Sequence, residues 1–161
     1  MLSAEENALF TQVGPGTPCG ELLRRYWMPV ATARDLTEEN PAKRVRILGE
    51  NLVLFRDGSG RIGLLPERCP HRHASLYYGF VEDDGLRCPY HGWKFATDGA
   101  CIEQPYERPN SPLKQQARLR SYPVQQLAGL LFAYLGPDPA PLLPRWETLV
   151  RKDGVRDIVV L

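Results

Sequence analysis

The histidines constrain this chain more than anything else in it. All three, with two of the four cysteines, lie between residues 69 and 93, in the run CPHRHASLYYGFVEDDGLRCPYHGW. Cys69 and His71 form a Cys-x-His cluster, and after sixteen further residues Cys88 and His91 form Cys-x-x-His. Any one of these side chains alone reads as a buried thiol or a hydrogen-bonded core histidine. Four of them in two short clusters, each with a proline behind the cysteine and Gly92 closing the second, read as a metal site. Zinc held by two Cys and two His usually draws its cysteines from one cluster and its histidines from the other. Here each cluster carries one of each. That order suits two irons set between the loops, one taking two thiolates and the other two imidazoles. An extended Cys-x-His would turn both side chains to one face, since alternate residues point alike. Pro70 and Pro89 stiffen the loops and remove backbone donors, and Gly92 lets the backbone pass where a side chain would collide.

Charge and hydropathy exclude several partners. Twenty basic and nineteen acidic side chains leave a formal charge of +1, without the basic excess of a nucleic-acid binder. The opening MLSAEENALF is acidic where a secretion signal is basic, and the longest apolar run, LAGLLFAYLG at 127–136, is too short to span a bilayer. The expectation is a cytoplasmic protein with no nucleic-acid and no membrane partner, its four cysteines serving as thiols or ligands rather than as disulfides. A chain of 161 residues, 43% of them apolar, has room for one domain and a short appendage.

Ser3-x-x-Glu6 reads as a capping box ahead of Leu9 and Phe10, and Thr17-Pro18 as a cap before a proline suited to the first helical turn. Two short helices are therefore expected to open the chain, the second with Leu22, Leu23 and Tyr26 along one side. Beyond them KRVRILGE, NLVLFRD, RIGLLPE, GLRCPYHGWKFATD and YPVQQLAGLLFAYLG are short apolar or alternating runs. They are separated by Asp57-Gly58, Asp84-Gly85, Asp98-Gly99 and Gly136-Pro137, which predicts a mostly β chain of small antiparallel sheets. Asp83-Asp84 reads as the turn of a hairpin joining the two clusters. Four prolines in PDPAPLLPR, 137–145, break any ladder and mark a linker. Residues 1–38 then form a helical lead-in with a first strand, 39–137 the main domain, and 138–161 a linker with the start of a further domain. The closing run Ile158–Leu161 reads as an edge strand or as one cut short. No internal repeat is evident.

The spacing C-x-H-x16-C-x2-H, written here as CPHRH and CPYHGW, resembles the Rieske [2Fe-2S] motif. The resemblance implies a Rieske-type iron-sulfur fold in which Cys69 and Cys88 hold one iron and His71 and His91 the other. Neutral imidazoles make such a cluster less negative and raise its potential above that of all-cysteine ferredoxins. Its work would be one-electron relay. Oxidised iron favours a deprotonated ligand, so a potential that falls at alkaline pH is expected. Rieske proteins of quinol-oxidising complexes carry an extra cysteine in each loop, where this chain has His73-Ala74 and Tyr90. A small Rieske ferredoxin reaches its first ligand early, whereas 68 residues precede Cys69. GELLRRYWMPVATARDL is similar to the N-terminal region of aromatic-ring-hydroxylating oxygenase subunits of the phthalate-dioxygenase-like and demethylase branch, a resemblance that covers most of residues 7–137.

In that family a mononuclear non-heme iron, held by two histidines and a carboxylate in a C-terminal domain, performs the oxygen chemistry. With His71 and His91 committed, only His73 remains. The resemblance therefore implies a chain that takes single electrons from a reductase or ferredoxin and passes them to a catalytic non-heme iron domain elsewhere, without hydroxylating substrate itself. Either the chain is a truncated piece or the catalytic domain is a separate polypeptide, and the closing apolar run favours truncation. The parent protein would be a homotrimer, with His71 or His91 facing an acidic residue of the neighbouring subunit. The alternatives are a free-standing Rieske ferredoxin-like carrier and a binding module with structural zinc. Around the ligands, Trp93 is expected to pack under the cluster and exclude water. Tyr90 is expected either to donate its hydroxyl to a sulfur or to pack, Arg72 and His73 to face solvent or an acidic electron donor, and Cys19 and Cys101 to be buried thiols. Substrate and reaction type belong to the domain this chain does not contain.

Overall fold

The computed structural model describes residues 1–108 and 111–159. Two helices open the chain, α1 (Ala4–Thr11) and α2 (Pro18–Leu23). Ser3 and Glu6 form the reciprocal capping box at α1, and the Thr17 hydroxyl caps α2 with Pro18 in its first turn. The apolar side expected of α2 faces solvent: Leu22 and Tyr26 are 56% and 61% exposed. What α2 buries is Gly20, against the backbone of Val13 and Gly14 at a separation no Cβ would fit. A glycine contact, and not a leucine stripe, seats this helix.

Among the described residues ten strands follow, in three antiparallel sheets. The first contains β1 (Trp27–Thr32), β9 (Val124–Leu127) and β10 (Leu130–Tyr134), in the order β1-β10-β9. The second is β2 (Ala42–Ile47), β3 (Glu50–Arg56) and β4 (Ile62–Pro66). The third is β5 (Phe80–Glu82), β6 (Gly85–Arg87), β7 (Lys94–Phe95) and β8 (Cys101–Glu103), each paired with the next. The run YPVQQLAGLLFAYLG, read as an apolar or alternating β run, divides at Ala128-Gly129 into β9 and β10. Both residues there have positive φ, 52° and 85°, and Leu127 pairs with Leu130, a two-residue hairpin of the kind that matches strand twist. GLRCPYHGWKFATD forms β6, the loop expected around the second cluster, and β7.

The middle sheet explains why β3 and β4 read as continuous apolar runs instead of alternating ones. Val53, Phe55 and Leu65 face one core with Leu76, Leu86, Trp93 and Phe95, while Leu52, Leu54 and Leu64 face another with Leu131, Ala133 and Leu135. A sheet covered on both faces needs apolar side chains at successive positions. Burying each of these large side chains contributes about 1.5–3 kcal/mol. The outer sheet alternates, since Phe132 and Tyr134 point away from Leu131 and Ala133, into a third cluster with Trp27.

The proline-rich stretch after Gly136 has no regular structure but is not free of the body. Ala140, Leu143 and Leu149 pack on Trp27, Phe132 and Tyr134, and the Trp27 indole donates to the Pro141 carbonyl at 2.8 Å. A one-turn helix, α4 (Glu147–Val150), unanticipated from the sequence like the short α3 (Leu113–Gln116), follows it. The edge strand expected near the end is absent through residue 159; Val160 and Leu161 lie outside the described residues. Two contacts account for the difference. The Arg156 guanidinium donates to the carbonyls of Thr148, Leu149 and Arg151, curling the segment back, and Ile158 lies against Gly129. Among the described residues no helix is long and apolar enough to cross a membrane.

Candidate metal centre

Two hairpin loops at one end of the four-stranded sheet gather the Cys/His residues. The first runs from Arg68 to Ser75, which pair as an isolated antiparallel bridge; the second runs from Arg87 to Lys94, paired across β6 and β7. The two are built alike. In the first, the Cys69 amide donates to Ala74 O at 2.9 Å, the His73 amide donates to Cys69 O at 2.9 Å, and His73 is left-handed with φ 56°. In the second, the Cys88 amide donates to Trp93 O at 2.8 Å, the Gly92 amide donates to Cys88 O at 3.2 Å, and Gly92 is left-handed with φ 71°. The turn at Pro70–Arg72 corrects the expectation of an extended Cys-x-His. Side chains meet there because the chain reverses, not because alternate residues share a face.

The loops bring their donors together in two pairs. Cys69 and Cys88 are 1% and 3% exposed and sit inside the same core as Leu76, Leu86 and Phe95. Burial pushes the Cys69 thiol up to about 11, and Cys88 beside it adds to the rise. His71 and His91 are half-buried, with ring centroids 4.7 Å apart. Among the described residues no three Cys, His, Asp or Glu side chains are gathered as a single ion would need. The arrangement is a pair of thiols beneath a pair of imidazoles. Such a donor set fits two metal ions of different ligation, soft below and nitrogen-bound above.

The neighbours are placed as follows. Trp93 is buried and stacks on His71, with ring centroids 4.6 Å apart and planes within 4°. Tyr90 is 61% exposed, its ring centroid 3.8 Å from that of His91; it packs over that imidazole, and among the described hydrogen bonds its hydroxyl makes none to a sulfur. Arg72 and His73 are exposed on the first loop. Cys101 is a buried thiol in the same core, whereas Cys19 is only half-buried on α2, unlike its expectation. Asp83-Asp84 is the two-residue turn between Glu82 and Gly85.

Sequence reasoning missed the charged residues that hold the loops. Arg87 forks onto the Glu82 carboxylate, reaches Glu103 at 2.6 Å, and donates its remaining nitrogen to the Gly92 carbonyl at 2.8 Å. Lys94, 5% exposed, lies among Glu103, Asp84 and Glu82 at 2.7, 2.9 and 3.2 Å. Burial works against the Lys94 charge, yet hydrogen bonds to Glu103, Asp84 and Glu82 outweigh it and raise its pKa. The Arg87 hydrogen bonds hold Glu82 down at about 2, against the opposing effect of burial. On the first loop Arg68 donates to His73 O at 3.2 Å from an exposed position. Its base is Glu67, which accepts from Ser75 Oγ at 2.6 Å and Arg44 Nε at 3.1 Å. A signal for the arginines was present: Arg-Cys-Pro occurs twice, at 68–70 and 87–89.

Residues 26–123, more than half of the chain, match the family model described as the Rieske [2Fe-2S] domain. The chain belongs to the Rieske [2Fe-2S] domain family. Its cofactor is accordingly a [2Fe-2S] cluster, and its Rieske domain is of the electron-transferring kind found in oxygenase subunits. The chain is 52% identical over 163 residues to the 5,5'-dehydrodivanillate O-demethylase oxygenase subunit of a Sphingobium species, covering 99% of this chain and 38% of that protein. It is 55% identical over 138 residues to phenoxybenzoate dioxygenase subunit alpha of Ectopseudomonas oleovorans, covering 85% of this chain and 33% of that protein. Among solved structures, Pseudomonas putida NdmA with caffeine superposes with a TM-score of 0.65 at 36% identity, over 71% of this chain and 34% of its own. The oxygenase and ferredoxin complex of carbazole 1,9a-dioxygenase superposes with a TM-score of 0.65 at 32% identity, over 74% and 31%. The Rieske chain thus spans about a third of the length of the curated relatives it matches.

Proposed function

We propose that Cys69 and Cys88 hold one iron of the cluster and His71 and His91 the other, and that the chain relays single electrons within a longer aromatic-ring oxygenase. The donor would be a reductase or ferredoxin. The acceptor would be a mononuclear non-heme iron in a catalytic part that this chain does not span, in a homotrimeric parent of cytoplasmic location. The observation that carries the reading is the two-tier donor set: two buried thiols in contact, two half-exposed imidazoles above them.

When bound, the cluster supplies reversible one-electron transfer. The chain's residues supply the rest. Cys69 and Cys88, set in the apolar core, keep water from the inner end of the site. Trp93 covers the face of His71 and Tyr90 lies against His91, leaving the outer edges of the two imidazoles as the nearest route to a partner. Arg68, Arg72 and His73 are exposed beside them and suit an acidic docking surface on the donor. Two relatives support the wider reading: oxygenase subunits align with nearly the whole chain, and a solved neighbour is an oxygenase with its ferredoxin.

The test is electron paramagnetic resonance of the reduced chain with iron and acid-labile sulfide counts. Two irons and two sulfides with a Rieske-type signal are expected, both lost in Cys88→Ser and His91→Ala. A colourless zinc protein, or an all-cysteine ferredoxin signal, would overturn the assignment.

A further inference from the structure

We infer that Arg87 and Arg68 are matched positioning residues, each clamping the loop that follows it by donating to the carbonyl five residues on, and that the clamp on the second loop is the stiffer of the two. The inference rests on the proposal that these loops carry the ligands, and adds how the loops are held. Arg87 binds Gly92 O and Arg68 binds His73 O, in each case the carbonyl of the left-handed residue that closes the turn around the Cys/His pair. Among the described hydrogen bonds neither carbonyl accepts from any donor but its arginine, and the amides of each turn are bonded to other carbonyls.

The two clamps differ in what aims them. The Arg87 guanidinium is locked by two forked bonds to Glu82 and one to Glu103, and these carboxylates are in turn shared with buried Lys94. Three of its five N–H groups are taken by carboxylates, all on Nε and Nη2, and Nη1 is left to reach Gly92 O. A guanidinium presents its donors in a rigid planar fork and so fixes the angles between its acceptors, which a rotating ammonium does not. Arg68 has the single bond to His73 O at 3.2 Å and is exposed. His91, directly before Gly92, is therefore held from behind, while His71 depends on its stack with Trp93.

Hydrogen exchange by mass spectrometry, read on peptides covering residues 69–74 and 88–93 of the metal-loaded chain, tests this together with the rate of iron release to a chelator. Arg87→Lys keeps the charge but loses the fork. It is expected to speed exchange in the second loop about tenfold, the equivalent of one charge-assisted hydrogen bond, and to speed iron release, while exchange in segments remote from the loop stays near that of the wild type. Arg68→Lys is expected to loosen the first loop by a smaller factor. Asp84→Asn, which touches Lys94 and not Arg87, is expected to loosen the second loop by less than Arg87→Lys does and to leave the first unchanged. Unchanged exchange in Arg87→Lys, equal loosening in Asp84→Asn, or loosening spread evenly over the whole chain would overturn the clamp. If Arg87→Lys does not fold, Glu82→Gln, which slackens the aim of Arg87 without removing it, must loosen the second loop more than Asp84→Asn does. The exchange result is independent of which metal is bound, so a zinc-loaded chain with the expected loosening would sink the ligand assignment and leave the clamp standing.

Discussion

At the fifth position of the first loop stands His73, at the fifth of the second Gly92, and both are left-handed. The backbones are equivalent residue for residue, from the arginine before the cysteine to the closing cross-strand pair. Their surroundings are not. The first loop rests on a single carboxylate, Glu67, shared with Ser75 and Arg44, and its tip is exposed. The second rests on five charged groups packed against one another, with Lys94 out of solvent. One turn geometry is thus held in two ways, by local hydrogen bonds on one side and by an ion network on the other. The lesson is that an unfavourable φ is tolerated at an exposed histidine but requires glycine where neighbours crowd in. A Cβ on Gly92 would lie 3.1 Å from Pro105 Cγ.

The largest effect is expected at Trp93, which both loops share. Truncation to alanine removes a buried indole and is expected to cost about 3–5 kcal/mol in urea unfolding, and hydrogen exchange should rise in both loops. A rise confined to the second would show that the stack on His71 holds nothing. A middle-sized effect is expected from exchanging the fifth positions. Gly92→Ala should cost about 1–2 kcal/mol for the left-handed Cβ, before the crowding by Pro105. His73→Gly should change stability by less than about 1 kcal/mol, because relief of the left-handed strain is offset by the larger freedom of glycine in the unfolded chain. Equal costs at the two positions would mean that the loops are not equivalent.

The smallest effect concerns acid. Glu82 has its pKa lowered on folding, from 4.5 to about 2, chiefly by the Arg87 hydrogen bonds. A carboxyl of this kind contributes stability that is complete above 4.5 and is lost as the pH falls through about 2. Urea midpoints of the wild type should decline across that window, and those of Glu82→Gln should decline less. Parallel slopes would show that Glu82 does not contribute to the decline.

Much of the fold was legible because it is written in local patterns. Ser3-x-x-Glu6 and Thr17-Pro18 cap α1 and α2 as expected, and the runs around Val45, Leu54 and Leu65 form β2, β3 and β4. The Cys/His residues come together because their spacing is itself the constraint. What was not legible depends on contacts between distant segments. No property of Leu22 or Tyr26 announces that α2 will seat on Gly20, and the curl that Arg156 imposes on the tail overrides a run of β-forming residues. The first loop is a turn because Cys69 accepts from His73, a bond that periodicity does not show. The network around Lys94 joins residues from β5, β6, β7, β8 and a hairpin turn, so only the repeated Arg-Cys-Pro hinted at any part of it.

Trp93 serves both loops at once. Its carbonyl closes the second by receiving the Cys88 amide, and its indole lies flat on His71 of the first. The two histidines are therefore geared together through one residue. The residue that closes one loop is thus the floor of the imidazole in the other, so the separation of the two loops is fixed by the thickness of one indole ring.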